Sequence, residues 1–189
     1  MNISNKLTTL RIILSFICIG FIIKNSFYSM IIAFFIFIFA SLTDFLDGYF
    51  ARKKELVSDL GKILDPIADK ILIIGVLLAF LQLKIIVDVW MASVIMLREF
   101  IITAVRLYNL SRGEINEAKK LGKHKTASQV FAVIYIFIVE ILFKKFPNNN
   151  FILFLYNKVS YIIMWYVVLI TLFSGLYYFW SNRHKIKTF

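Results

Sequence analysis

The sequence predicts an all-α integral membrane protein with six transmembrane helices, both termini in the cytoplasm, and a short interfacial segment at the N-terminus. Three observations predict this. Of 189 residues, 60% are hydrophobic and mean hydropathy is +0.80, whereas a soluble domain is usually about 45–50% apolar. The apolar residues gather in six long runs separated by polar breaks, and about 20 mostly apolar residues suffice for one span. Lys and Arg fall unevenly on the two sets of run ends, which fixes orientation.

The runs are Leu7–Ile23, Ser29–Tyr49, Ile63–Leu83, Ile85–Leu110, Ala127–Phe143 and Phe151–Trp180. The first has a basic start, but no small-x-small cleavage site follows it. With further runs behind it, it reads as a span rather than a signal peptide. Lys24-Asn25-Ser26 breaks the first run from the second. The stretch from Arg52 to Lys62 returns the chain to the same side, and Pro66 suits the first turn of a third helix starting near Lys62. A short corner at Lys84 leads into the fourth run, and Ser111 to Lys125 into the fifth. "PNNN" at 147–150 marks a loop before the sixth, which is long enough to tilt or protrude. Fourteen Lys and Arg lie at the ends that include both termini, against five at the opposite ends (Lys24, Lys84, Lys144, Lys145 and Lys158). This places the termini, and the aspartates discussed next, on the cytoplasmic side.

Composition also excludes. A net charge of +11 would suggest nucleic acid in a soluble protein. In an apolar chain it fits basic loops beside an anionic leaflet, and no nucleic-acid partner is expected. The one cysteine, Cys18, permits no internal disulfide, and with only two histidines a structural zinc site is not expected. Without linker, repeat or low-complexity tract, residues 1–189 read as a single membrane domain.

Four carboxylates stand at the ends of two apolar runs, where a charge is costly and usually marks a site. Asp44 and Asp47 are three apart, and Asp65 and Asp69 four apart, so each pair shares one face of a helix. Gly48 and Ala51 extend the first face with small residues that leave room for a ligand, and Gly61 precedes Asp65 by one turn. Four close carboxylates repel; either they are protonated or they hold cations. Without His or Cys ligands the fitting ions are hard and oxygen-seeking, Mg²⁺ or Mn²⁺. Two such ions would balance the four charges and leave positions for a phosphate-bearing substrate. Each pair alone is weak evidence, since acids near a helix end are usually a solvated face. The combined pattern D-x2-D-G-x2-A-R-x8-G-x3-D-x3-D, from Asp44 to Asp69, has eight fixed positions.

That stretch, with Asp44, Asp47, Gly48, Ala51, Arg52, Gly61, Asp65 and Asp69, resembles the complete signature of the CDP-alcohol phosphatidyltransferase family. The resemblance implies six transmembrane helices, commonly in a homodimer, and transfer of a phosphatidyl or related group from a CDP-linked donor to an alcohol with release of CMP. It implies that Asp44, Asp47 and Asp65 are metal ligands and that Asp69 is the general base and also a metal ligand. It further implies that Gly48, Ala51, Arg52 and Gly61, with Asp44, Asp47 and Asp65, shape the CDP-lipid site. A carboxylate within reach of a hydroxyl gives its proton somewhere to go. The donor's tails can stay in the bilayer while its head group reaches the interface.

The acceptor is read from other residues. Arg98 and Arg106 lie within the fourth run, where Arg tends to face a cavity or a partner. The bland readings are an acidic partner for Arg98 and snorkelling for Arg106. Glu99, next in sequence, is not expected to be that partner, because adjacent residues on a helix point apart. "LGKHKTA" at 121–127 brings Lys123, Lys125 and Thr126 to the opening of the fifth helix, either as a positive-inside loop or as a phosphate grip. Cations beyond the metal site favour an acceptor with its own phosphate. "NISNKLTTLR" (Asn5, Thr8, Arg11), "LREF" at 97–100 and "LGKHKTA" are similar to the bacterial phosphatidylglycerophosphate synthases, apart from His124 where an apolar residue is expected. That similarity implies CDP-diacylglycerol as donor, sn-glycerol 3-phosphate as acceptor, and a multi-pass place in the plasma membrane with the site facing the cytoplasm. Inositol phosphate, or a second phospholipid as in a cardiolipin synthase, stays open as acceptor. A divalent-cation transporter is the rival from another class, but Asp88, Glu99 and Glu140 are few acids from which to outline a route. Glu140 reads either as a proton relay or as a pairing group in the bundle, and Cys18 as packing.

Overall fold

The computed structural model describes the backbone over residues 3–53, 59–111 and 120–186, and side chains over 7–43, 67–68, 70–109 and 124–181. Among the described residues all regular structure is helical: α1 (Ile3–Ile23), α2 (Phe27–Lys53), α3 (Asp59–Gln82), α4 (Val89–Ser111), α5 (Lys120–Lys145), α6 (Asn150–Phe154) and α7 (Ser160–Ile186). A π-helical turn, Leu155–Val159, joins α6 to α7 without leaving helical backbone angles. There the Ser160 N–H and hydroxyl both donate to the Leu155 carbonyl, the hydroxyl at 2.8 Å. The six predicted runs thus appear as six long helical rods. Within the described residues two stretches, His124–Lys145 and Asn150–Ser181, are long and apolar enough to cross a membrane, and Leu7–Ile23, Phe27–Thr43 and Lys70–Gln82 are shorter apolar stretches.

Local chemistry sets the corners. Asn25 takes a left-handed φ of 51° after α1, and its N–H donates to the Ile22 carbonyl at 2.9 Å. Asn is among the few side chains that accept that conformation at a helix end. Ser26 and Ser29 then cap α2 reciprocally, each hydroxyl accepting the other's backbone N–H, at 3.2 and 3.0 Å. Asn149 caps α6, its side-chain oxygen accepting from the N–H groups of Phe151 and Ile152.

Two expected boundaries are corrected. The fourth helix starts at Val89 rather than Ile85. Lys84, at φ 55°, closes α3: its N–H meets the Leu81 carbonyl at 3.0 Å, and the Ile85 N–H meets that of Phe80 at 2.9 Å. This double bond, with Ile85 and Phe80 both buried, ends a helix firmly. The third helix starts at Asp59 rather than near Lys62, which sets Pro66 two turns inside it. There proline withholds the N–H that would meet the Lys62 carbonyl. The fifth starts at Lys120, ahead of its apolar run, so Lys123, Lys125 and Thr126 belong to its first two turns, at the opening of the helix as expected.

α1 packs on both α2 and α3; α7 packs on α4 and α5; and α5 reaches α2 and α3 to close the bundle. Where these sets meet, the Phe137 ring of α5 lies 5.7 Å from Phe37 and 5.8 Å from Phe34 of α2, and 5.0 Å from Phe80 of α3. Cys18 is buried and its thiol donates to the Ala33 carbonyl at 3.4 Å, so it packs α1 on α2 as expected. Gly75 lets α3 come close to α1: a Cβ there would stand 2.6 Å from Ile19 Cδ1. The outward faces carry large apolar side chains, including Phe16, Phe35, Phe100, Phe131, Phe173 and Trp180. In water each such exposure forgoes about 1.5–3 kcal/mol of burial, which an apolar solvent removes.

Candidate active site

The aromatic layer gives the register of the helices around it. Twelve residues from it along each helix, about 18 Å at 1.5 Å per residue, lie Lys125 on α5, Tyr49 on α2 and Ala68 on α3. The backbone of the Asp44–Asp47 turn of α2, 7–10 residues from the layer, and that of the Asp65–Asp69 turn of α3, 11–15 residues from it, therefore lie at the same end of the bundle as Lys125. The side chains of Asp44, Asp47, Gly48, Ala51, Arg52, Gly61, Asp65, Asp69, Lys123 and Asn5 lie outside the described residues. By sequence these two turns carry carboxylates, whose hard oxygen chemistry suits Mg²⁺ or Mn²⁺. Among the described side chains there is no competing group of three or more His, Cys, Asp or Glu.

α1 contributes a polar stripe at the same end. Thr8, Arg11 and Ser15 are 0–1% exposed, and the Ser15 hydroxyl donates to the Arg11 carbonyl at 2.8 Å. Ten residues from the Cys18–Ala33 contact, Thr8 is level with Thr43, the neighbour of Asp44. Eight residues from the Ile19–Gly75 contact, Arg11 is level with Ile67, between Asp65 and Asp69. The structure therefore brings Thr8 and Arg11 to the same end of the bundle as the two acidic turns.

On the other side of Lys125, a buried polar cluster joins α4, α5 and α7. Glu99 Oε1 accepts from Lys125 Nζ in an ion pair, with side-chain exposures of 10% and 5%. The same oxygen accepts from Gln129 Nε2 at 3.2 Å and from Arg98 Nη1 at 3.5 Å. Arg98 Nη2 donates to the Ser174 hydroxyl at 2.9 Å, which in turn donates to the Thr171 carbonyl at 3.0 Å. Gln129 Nε2 also approaches Thr171 Oγ1 at 3.4 Å. The stem of Arg98 lies along Gly175, where a Cβ would meet Arg98 Cγ at 3.2 Å. Arg98 Nε is buried and has no acceptor.

This cluster corrects one expectation and extends others. Glu99 does contact Arg98, because the long arginine stem brings Nη1 round to its neighbour, although 3.5 Å is long for a hydrogen bond. Arg98 and Lys125 are brought together through Glu99, whereas Arg106 and Thr126 are exposed. Lys125 lies beyond the orphan N–H groups of the first turn of α5, so any grip it has comes from its ammonium and not from the helix end. Gln129, Thr171, Ser174 and Gly175 were not singled out from sequence. Their signal was polar or small residues at one-turn spacing inside apolar runs, Lys125 with Gln129 and Thr171 with Ser174. Glu140 pairs with Lys144 at 3.2 Å at the opposite end of α5, and Lys144 also donates to Asn25 Oδ1 at 2.7 Å. Glu99 and Glu140 thus each have a cationic partner within the bundle.

A bundle whose described residues form only helices, with apolar outer faces, acidic pairs on two helices and a buried cationic cluster at the same end, defines a helical membrane protein with a polar site inside one end. Comparison with known sequences names its kind. The family model described as CDP-alcohol phosphatidyltransferase matches residues 1–173, and the chain belongs to that family. It is 38% identical over 155 residues to a CDP-diacylglycerol–glycerol-3-phosphate 3-phosphatidyltransferase of Bacillus subtilis, covering 81% of this chain and 74% of that protein. It is 37% identical over 179 residues to the Rickettsia felis protein of the same name, covering 94% and 93%. To that of Rickettsia bellii it is 35% identical over 178 residues, again covering 94% and 93%.

Proposed function

We propose that the chain is a phosphatidyltransferase that moves the phosphatidyl group from CDP-diacylglycerol to sn-glycerol 3-phosphate, releasing CMP. The observation that carries this reading is that the two acidic turns and the buried cluster of Arg98 and Lys125 lie at the same end of the bundle. Metal-type carboxylates and phosphate-type cations are what a reaction between a diphosphate donor and a phosphorylated acceptor needs, side by side.

In this reading Asp44, Asp47, Asp65 and Asp69 hold two Mg²⁺ or Mn²⁺ ions, with Gly48, Ala51, Arg52 and Gly61 around the cytidine diphosphate. Bound there, the ions supply neutralising charge to the diphosphate and the departing CMP. Arg98 and Lys125, with Arg106, Lys123 and Thr126, receive the acceptor phosphate, and Asn5, Thr8 and Arg11 border the site from α1. Asp69 accepts the proton of the attacking hydroxyl as its oxygen bonds to the phosphorus carrying diacylglycerol. The bond from that phosphorus to the CMP oxygen breaks, so one ester replaces one anhydride and one proton is released. Desolvation by the surrounding apolar helices strengthens each of these polar contacts.

The reading includes one domain over residues 1–189, six spans, both termini and the site on the cytoplasmic face of the plasma membrane, and a homodimer. The outward apolar side chains and the excess of Lys and Arg on one set of ends support it. The test is to supply radiolabelled glycerol 3-phosphate, inositol phosphate or phosphatidylglycerol to the purified protein with CDP-diacylglycerol and Mg²⁺. Label from glycerol 3-phosphate should enter the lipid phase. Transfer only from another acceptor would replace the substrate, and no transfer from any would remove the reading.

A further inference from the structure

We propose that Glu99 is a positioning residue for the acceptor: its carboxylate gathers Lys125 and Arg98 into a receptor for a phosphate dianion. This rests on the reading of that cluster as the acceptor site. One oxygen, Glu99 Oε1, faces three donors from two helices, Lys125 Nζ, Gln129 Nε2 and Arg98 Nη1. Two buried cations converging on one point repel each other strongly where the dielectric is low. The carboxylate between them removes that cost and leaves the cluster one positive charge to offer an anion. Gln129 fixes the direction of the carboxylate, since its Nε2 also approaches Thr171 of α7.

The hold is unequal, and the inequality points to a ligand. Lys125 is tightly paired, but Arg98 meets Glu99 only at 3.5 Å. Arg98 is fixed instead by Ser174 at 2.9 Å and by the bare backbone at Gly175. Its Nε is buried without any acceptor. An unmet buried donor is costly, and a guanidinium presents its N–H groups in a planar fork suited to phosphate oxygens. An acceptor phosphate beside Glu99 would take N–H groups of the Arg98 guanidinium and share Lys125, while Glu99 keeps the two cations at the right separation.

Glu99→Gln retains the volume and an oxygen for Gln129 and removes only the charge. The Michaelis constant for glycerol 3-phosphate should then rise by about tenfold or more, with that for CDP-diacylglycerol within about twofold and the rate at saturating acceptor within about threefold. Inorganic phosphate should compete with the acceptor in the unaltered protein and lose potency in Glu99→Gln by a similar factor. Gln129→Met, which keeps the charge but releases the carboxylate, should move the same constant in the same direction by a smaller factor; it carries the test if Glu99→Gln fails to fold. An unchanged acceptor constant in the folded variants, or equal rises for donor and acceptor, would overturn the proposal while leaving the phosphatidyltransferase reading in place. Failure of the unaltered protein to use glycerol 3-phosphate would instead bring down that reading, and this proposal with it.

Discussion

Lys125 of α5 and Glu99 of α4 form an ion pair inside the bundle, with side chains 5% and 10% exposed. Removing one partner of a buried pair strands the other charge, at a cost of about 3–5 kcal/mol, whereas replacing both is far less damaging. Lys125→Met should therefore lower the melting temperature in detergent sharply, and the double variant Lys125→Met/Glu99→Gln should recover much of it. Neither should recover use of glycerol 3-phosphate. Recovery of stability and acceptor use together would show that the pair is structural only, and thermal unfolding run beside initial rates checks both.

Asp69 stands at the acidic turn of α3, and its replacement tests the chemistry apart from binding. Asp69→Asn should reduce turnover by about 10²–10⁴-fold or more, the range for loss of a positioned base. The fold and donor binding should persist, read as protection of the protein by CDP-diacylglycerol against heat. Near-normal turnover would remove Asp69 as the base. Chelation of divalent ions should stop the reaction in the unaltered protein, and added Mg²⁺ or Mn²⁺ should restart it.

Gly175 gives Arg98 its berth, since a Cβ would meet Arg98 Cγ at 3.2 Å. Gly175→Ala asks the arginine stem to yield by a few tenths of an ångström; Gly175→Val asks for more. The Michaelis constant for glycerol 3-phosphate should rise in that order, about twofold to fivefold and then about tenfold, with Arg98→Ala at least as large and Lys123→Ala in the same direction. Equal effects on donor and acceptor constants would argue against this pocket.

The rods of the fold were legible because an apolar run long enough to span must be helical. The corners were legible less evenly. Ile85-Ile86-Val87 read as the start of a span because it is apolar. In fact Ile85 and Val87 bury their side chains from a turn, with Ile86 at a left-handed φ of 59°. Spacing alone set each aspartate pair on one helix, and each pair does lie within one helix, α2 and α3. Glu99 could not be assigned that way. Its main partners, Lys125 and Gln129, lie 26 and 30 residues on, and a rule about side-chain directions on one helix is blind to contacts between helices. The rule also fails for Arg98, whose reach exceeds the one-residue offset.

The opposite end of α5 offers a control with the same chemistry and no proposed role in transfer. Lys144 pairs with Glu140 at 3.2 Å and donates to the backbone and side-chain oxygens of Asn25 at 3.0 and 2.7 Å, tying α5 to the left-handed corner between α1 and α2. Glu140 is buried, and one of its oxygens has no donor. Lys144→Ala should therefore lower thermal stability by about 1–3 kcal/mol, the cost of leaving a buried acceptor unmet. The Michaelis constants for both substrates should stay within about twofold, because the substrate site lies some 20 residues, or about 30 Å, away along α5. Melting curves and initial rates on this variant and on Lys125→Met separate the two ends. If Lys144→Ala altered acceptor use as Lys125→Met does, the effects would come from loosening α5 as a whole rather than from the cationic cluster.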